Sequence, residues 1–90
     1  MNRYGEQAME HWRQSRPQAY RELEDPQEYF TDLGTQIEQE VEARARQLAG
    51  TEPDGEGYLQ RLGRLNNARL EAEGAVLRER VLLEEEPEQD

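Results

Sequence analysis

The feature that most constrains the fold of this chain is a helical repeat framed by its own start and stop signals. Asp25, Pro26 and Glu28 form a capping box with proline at the first helical position. Gly50 stands where a helix C-cap favours glycine. Between these signals the apolar residues recur every three or four positions, at Phe30, Leu33, Ile37, Val41, Ala45 and Leu48. The pattern predicts an amphipathic helix over residues 26–49.

Three further helices follow from the same reasoning. Residues 3–15 place their aromatic residues and alanine on one helical face, and Pro17 then opens a short second helix over 17–24. Residues 50–57 are rich in glycine and acids and predict a loop. A last amphipathic helix is predicted over 58–84. Its main apolar stripe is Leu59, Leu62, Leu65, Ala72, Val76 and Leu83.

The predicted fold class is all-α: an antiparallel helical hairpin of two long helices, preceded by two short N-terminal helices. Its short loop makes the two long helices antiparallel neighbours. We expect the N-terminal helices to cap one end of the hairpin through the aromatic residues Tyr4, Trp12, Tyr20, Tyr29 and Phe30. Residues 1–83 form a single domain in this interpretation, and the acidic residues 84–90 form a disordered tail.

The charge of the chain is strongly negative and unevenly distributed. The formal net charge is -10, and residues 22–42 hold eight carboxylates and no arginine. The simplest interpretation is a solvated helix face, with Glu40–Arg44 and Glu42–Arg46 as same-helix ion pairs. The functional interpretation is a surface for a basic protein partner, and its candidate residues are Glu28, Asp32, Glu38 and Glu42. Direct binding to nucleic-acid phosphates or to an anionic membrane is disfavoured.

Residue types that carry catalysis or bind metals are scarce. The chain has no cysteine and a single histidine, His11, which excludes thiol catalysis and zinc sites built from several such ligands. Glu10 and His11 are adjacent and point to different sides of a helix, so they do not share an ion. A catalytic carboxylate pair needs an apolar pocket, which no pattern here marks. We therefore expect no catalytic, cofactor-binding or metal-binding residues, no cofactor and no enzymatic activity.

Apolar residues on a second side of the last helix suggest a second packing partner. Leu70, Leu77 and Val81 lie beside the main stripe. The partner of this second stripe is either the N-terminal helices, another copy of the chain or a different protein. Of these, self-association to a homo-oligomer is the interpretation we favour. With no signal sequence and no long apolar run, the expected location is the cytoplasm.

The segments RYGEQAMEHW and DPQEYFTDLG, the acidic tail and the absence of lysine together resemble small acidic proteins carried by mobile elements and phages of GC-rich actinobacteria. The resemblance covers mainly residues 3–34. It implies an accessory or host-interaction role, and no activity or functional residues.

These observations lead to one hypothesis for function and two alternatives. The first is a non-enzymatic interaction protein that uses its acidic helix face and its apolar stripe. The second is an acidic mimic of nucleic acid that inhibits a basic DNA- or RNA-handling protein. The third is a structural protein that self-assembles.

Overall fold

The computed structural model describes residues 1–81, which contain four helices and no strand. These are α1 (Arg3–Ser15), α2 (Pro17–Arg21), α3 (Pro26–Ala49) and α4 (Tyr58–Arg80). The two long helices α3 and α4 pack together as an antiparallel hairpin, so the predicted all-α fold class is confirmed. We call the end of the hairpin at loop 50–57 the distal end, and the opposite end the proximal end.

Local signals set the ends of the helices. The Asn2 side chain accepts a hydrogen bond from the Gly5 amide at 3.0 Å, and Asp25 accepts one from the Glu28 amide at 3.1 Å. Gly50 ends α3 with a φ of 64°, a left-handed value that favours glycine. The bounds of α1 and α3 agree with the prediction. Helix α2 is shorter than predicted because the chain must become extended at Asp25, which precedes a proline.

Helix α1 lies along the first half of α3, where two glycines allow close contact. A methyl group on Gly34 would stand 2.9 Å from the Gly5 amide nitrogen. The Asn2 side chain also donates to the Gly34 carbonyl oxygen at 2.9 Å. At the same end of α1, Arg3 reaches across to Glu73 on α4 at 2.7 Å. Helix α1 therefore packs beside the hairpin over the proximal half, rather than capping its end.

The hydrophobic core occupies the proximal half of the hairpin. The Trp12 ring lies 5.4 Å from the rings of both Tyr29 and Phe30, and Tyr20 stacks 6.1 Å from Phe30. These contacts place four of the five predicted aromatic residues in one cluster. The buried residues of the core are Tyr4, Ala8, Trp12, Phe30, Leu33, Ile37, Val41, Ala72, Val76 and Val81.

In the distal half, the packing differs from the prediction. Leu59, Leu62 and Leu65 are exposed, although the sequence pattern placed them in the main stripe. The buried residues that α4 supplies within its bounds are instead Ala68, Ala72 and Val76. The reason is that α1 begins at Arg3, beside Glu73, so no third helix covers the hairpin beyond that point within the described chain.

The ion pairs of α3 also differ from the prediction. Arg44 pairs with Glu79 on α4 at 3.0 Å, and Glu40 pairs with Arg80 on α4. Glu40–Arg44 does not form, because α4 brings an opposite charge to each of its two residues. Glu42–Arg46 is not formed either, and within residues 1–81 neither residue has another ion-pair partner. The predicted end of the last helix near Glu84, the stripe residue Leu83 and the predicted disordered tail lie outside the described residues.

Candidate functional site

Five carboxylates surround a shallow depression where α2 turns into α3. We call this depression the acidic hollow. It has a volume of about 430 Å³. Its lining residues are Glu22, Leu23, Glu24, Asp25, Glu28, Tyr29 and Asp32. The Asp25–Pro26 cap folds the chain back here, so acids on both sides of the turn face one space. Tyr29 is 40 % exposed and supplies an aromatic surface among the acids.

The acids of the hollow have no arginine partner, whereas six of the eleven other acids within residues 1–81 have one. Six glutamates elsewhere form ion pairs with arginine: Glu10, Glu40, Glu52, Glu56, Glu73 and Glu79. Within residues 1–81, no arginine comes within 4.0 Å of the five carboxylates of the hollow. Five adjacent negative charges without internal compensation leave a strongly negative local field.

The structure brings together only two of the four predicted partner-binding acids. Glu28 and Asp32 line the acidic hollow. Glu38 lies beside the start of α1, where the Asn2 side chain donates to it at 3.4 Å. Glu42 lies farther along α3, in a groove at the distal end. The prediction missed that Glu22, Glu24 and Asp25 join the hollow, although their position at the α2–α3 turn was visible in the sequence.

The predicted self-association stripe does not form one exposed surface. Val81 is fully buried and Leu77 packs partly buried against the core, whereas Leu70 is 67 % exposed. The proximal part of the stripe is buried in the core of this same chain. Self-association stays a prediction, but Leu77 and Val81 cannot provide its surface while the chain is folded this way.

A second depression lies between α3 and α4 at the distal end. We call it the distal groove, and its volume is about 560 Å³. Its lining residues are Glu42, Ala45, Arg46, Ala49, Gly50, Leu65, Asn66 and Arg69. Four other apolar residues at this end are exposed: Leu48, Tyr58, Leu59 and Leu62. The groove therefore combines an apolar floor with charges of both signs.

Loop 50–57 is fixed to α4 by one bidentate ion pair. Arg64 donates through Nε and Nη2 to the two carboxylate oxygens of Glu56 at 2.7 and 3.0 Å, and it also donates to the Ala49 carbonyl oxygen. Hydrogen bonding from the Arg64 guanidinium holds the pKa of Glu56 below its ordinary value. The same contact raises the pKa of Arg64. Arg64 thus links α4 to the loop through Glu56 and to the end of α3 through Ala49.

Metal-binding side chains do not cluster in the described part of the chain. Within residues 1–81, no three residues among histidine, aspartate and glutamate are placed to hold a metal ion. His11 is half-buried next to Trp12, and its Nε2 and the Trp12 Nε1 have no hydrogen-bond partner. Nor do these residues include a helix with the length and apolar character that a membrane crossing needs.

Comparison with protein families, with curated proteins and with solved structures finds no match for this chain.

Proposed function

We propose that this protein is a non-enzymatic interaction protein that binds an arginine- or lysine-rich segment of a partner protein in the acidic hollow. The observation that carries the proposal is the set of five carboxylates without an arginine partner around one depression. A charged surface of one sign attracts a partner of the opposite sign and speeds its association.

The residues between the carboxylates suit a basic side chain. Tyr29 is partly exposed although its ring contacts Trp12 and Phe30, so its open part offers an aromatic surface for a cation–π contact with a guanidinium or ammonium group. Leu23 offers an apolar surface for the aliphatic stem of arginine or lysine. The hollow thus combines charge for attraction with surface for packing.

The test is a titration of the protein with a fluorescent arginine-rich peptide, followed by anisotropy at about 50 mM and about 500 mM salt. The variant Glu28→Gln with Asp32→Gln removes two charges from the hollow. Glu28 contributes its backbone amide to the α3 cap, so its side chain can change without loss of the cap. We expect this variant to lower the affinity by about tenfold, which corresponds to ~1.4 kcal/mol.

The matched control is Glu38→Gln with Glu42→Gln, which removes the same charge from α3 outside the hollow. We expect little change in affinity from the control. An equal loss in both variants contradicts binding in the hollow.

That equal loss is the outcome expected for the second candidate function, mimicry of nucleic acid. Its supporting observation is that Glu28, Asp32, Glu38 and Glu42 follow α3 over fifteen residues, which span about 21 Å of helix. Within the described chain none of the four pairs with an arginine. A mimic uses the whole row, so both double variants weaken its binding to a basic cleft.

A further inference from the structure

One face of α4 carries an apolar stripe that is covered over only half its length. Residues at intervals of three or four follow this face, of which five are apolar (Leu59, Leu62, Leu70, Leu77 and Val81) and two are polar (Asn66 and Glu73). This spacing keeps them on one side of the helix. In the proximal part, Glu73 pairs with Arg3 of α1, and Leu77 and Val81 belong to the core. In the distal part, Leu59 is 79 % and Leu70 67 % exposed.

The change from covered to exposed occurs where α1 begins. Arg3, the first residue of α1, contacts Glu73, and Glu73 also pairs with Arg69 at the edge of the distal groove at 3.6 Å. The distal groove therefore begins where the surface that α1 covers ends, on the same hairpin. Two helices alone do not bury a stripe on a second side of either one, so residues 1–81 supply no further packing layer for this part of the fold.

The charge around the groove indicates which occupant fits. Residues 42–69 carry four acids and five arginines, whereas the rest of the chain carries seventeen acids and six arginines. A strongly basic partner is drawn to the other end of the molecule. Two copies of a chain with a net charge of -10 repel each other except where the local charge is balanced.

An interface between two identical copies related by a twofold axis must also be complementary to itself. The rim of the groove meets this condition because it presents both signs of charge. Within residues 1–81, Glu42 and Arg46 have no ion-pair partner, so each is free to meet its opposite in a second copy. The second copy also brings an apolar stripe of the same length.

We propose that the distal half of the hairpin is a homodimer interface. Leu59, Leu62 and Leu70 of one copy pack against the distal groove and stripe of a second copy, and the four distal helix segments form a four-helix bundle. This inference does not depend on the proposed function, because the acidic hollow lies at the proximal end and stays open in the dimer.

The test is the mass of the full chain in solution, measured by light scattering and sedimentation equilibrium at about 100 µM. We expect twice the 10.6 kDa of one chain. The variant Leu59→Glu with Leu70→Glu changes two exposed residues to another good helix former, so its circular dichroism should be unchanged. We expect this variant to have the mass of one chain.

The matched control is Gln7→Glu with Gln27→Glu, which adds the same charge at exposed positions outside the distal half. The control should remain a dimer, which separates loss of the interface from general repulsion. A wild-type mass of one chain, or a dimer that survives both leucine substitutions, overturns the proposal. Dissociation of the charge control to the same extent also overturns it.

Discussion

Gly5 and Gly34 face each other where α1 crosses α3, and a Cβ atom on either one would lie closer than 3 Å to atoms of the facing segment. A methyl group on Gly34 would stand 2.9 Å from the Gly5 amide nitrogen and would also meet the Asn2 side chain that caps α1. A methyl group on Gly5 would meet the Phe30 carbonyl oxygen. Contact of helix backbones at this crossing brings Tyr4, Ala8 and Trp12 onto α3. The two glycines therefore allow α1 to pack closely against α3.

The first prediction concerns this crossing. Gly34→Ala should lower the free energy of unfolding by about 2 kcal/mol, because the added methyl group separates α1 from α3. This loss exceeds the helix-propensity gain of roughly 1 kcal/mol that alanine brings. Denaturant unfolding measures the change. The matched control is Gly63→Ala, where a methyl group meets nothing within 4 Å, and it should raise the free energy of unfolding by roughly 0.5–1 kcal/mol. Stabilisation by both substitutions would contradict the close contact.

The second prediction concerns the ion pairs between α3 and α4. A double-mutant cycle on Arg44 and Glu79 should give a coupling energy of about 0.5 kcal/mol, as expected for a partly exposed pair. The cycle on Glu40 and Arg44, which lie four residues apart on α3, should give a coupling energy near zero. Both cycles use alanine variants and denaturant unfolding at low salt. The reverse order of the two energies would show that the same-helix pair forms in solution.

The third prediction concerns the pH dependence of the Glu56–Arg64 pair. The pKa of Glu56 is lower in the folded chain than in the unfolded one, so the stabilising effect of the pair is fully present above the ordinary pKa of a glutamate. That effect is lost as the pH falls through the lower folded pKa. Glu56→Gln should therefore be less stable than the wild type at pH 7, and the difference should shrink as the pH falls through the lowered pKa of Glu56.

Glu52→Gln is the matched control for this measurement. Glu52 also lies in the loop, but it pairs with Arg61 at 3.8 Å and both side chains are more than half exposed. We expect Glu52→Gln to lower the free energy of unfolding at pH 7 by less than Glu56→Gln does. If the two variants show the same pH profile, the bidentate pair has no special role.

Sequence patterns predicted the helices because the signals that set them are local. Asp25, Pro26 and Gly50 act on the residues next to them, and the structure places the ends of α3 at these residues. The four helices and the hairpin follow from such signals and from the short loop. The acidic hollow was predicted in part, since Glu28 and Asp32 line it, but its full outline depends on how the chain turns between α2 and α3.

The sequence did not predict which part of α4 is buried, because that depends on the length of a different helix. Leu59 and Val81 both belong to apolar patterns on α4, yet only Val81 lies within the reach of α1. The predicted same-helix pair Glu40–Arg44 was wrong for a related reason. Arg44 has a glutamate four residues before it, but the register of the hairpin places Glu79 closer.

Because α1 packs only on the proximal half of the hairpin, we expect the two halves to differ in how readily they unfold locally. Amides near Ile37 lie under α1 and in the core, so their hydrogen exchange requires an opening close to global unfolding. Amides near Leu48 and Leu62 belong to two helices that no third helix of the described chain covers, so we expect them to exchange through local fraying that starts at the loop. A single copy should therefore open first at its distal end, and in the proposed dimer the second copy would slow hydrogen exchange there.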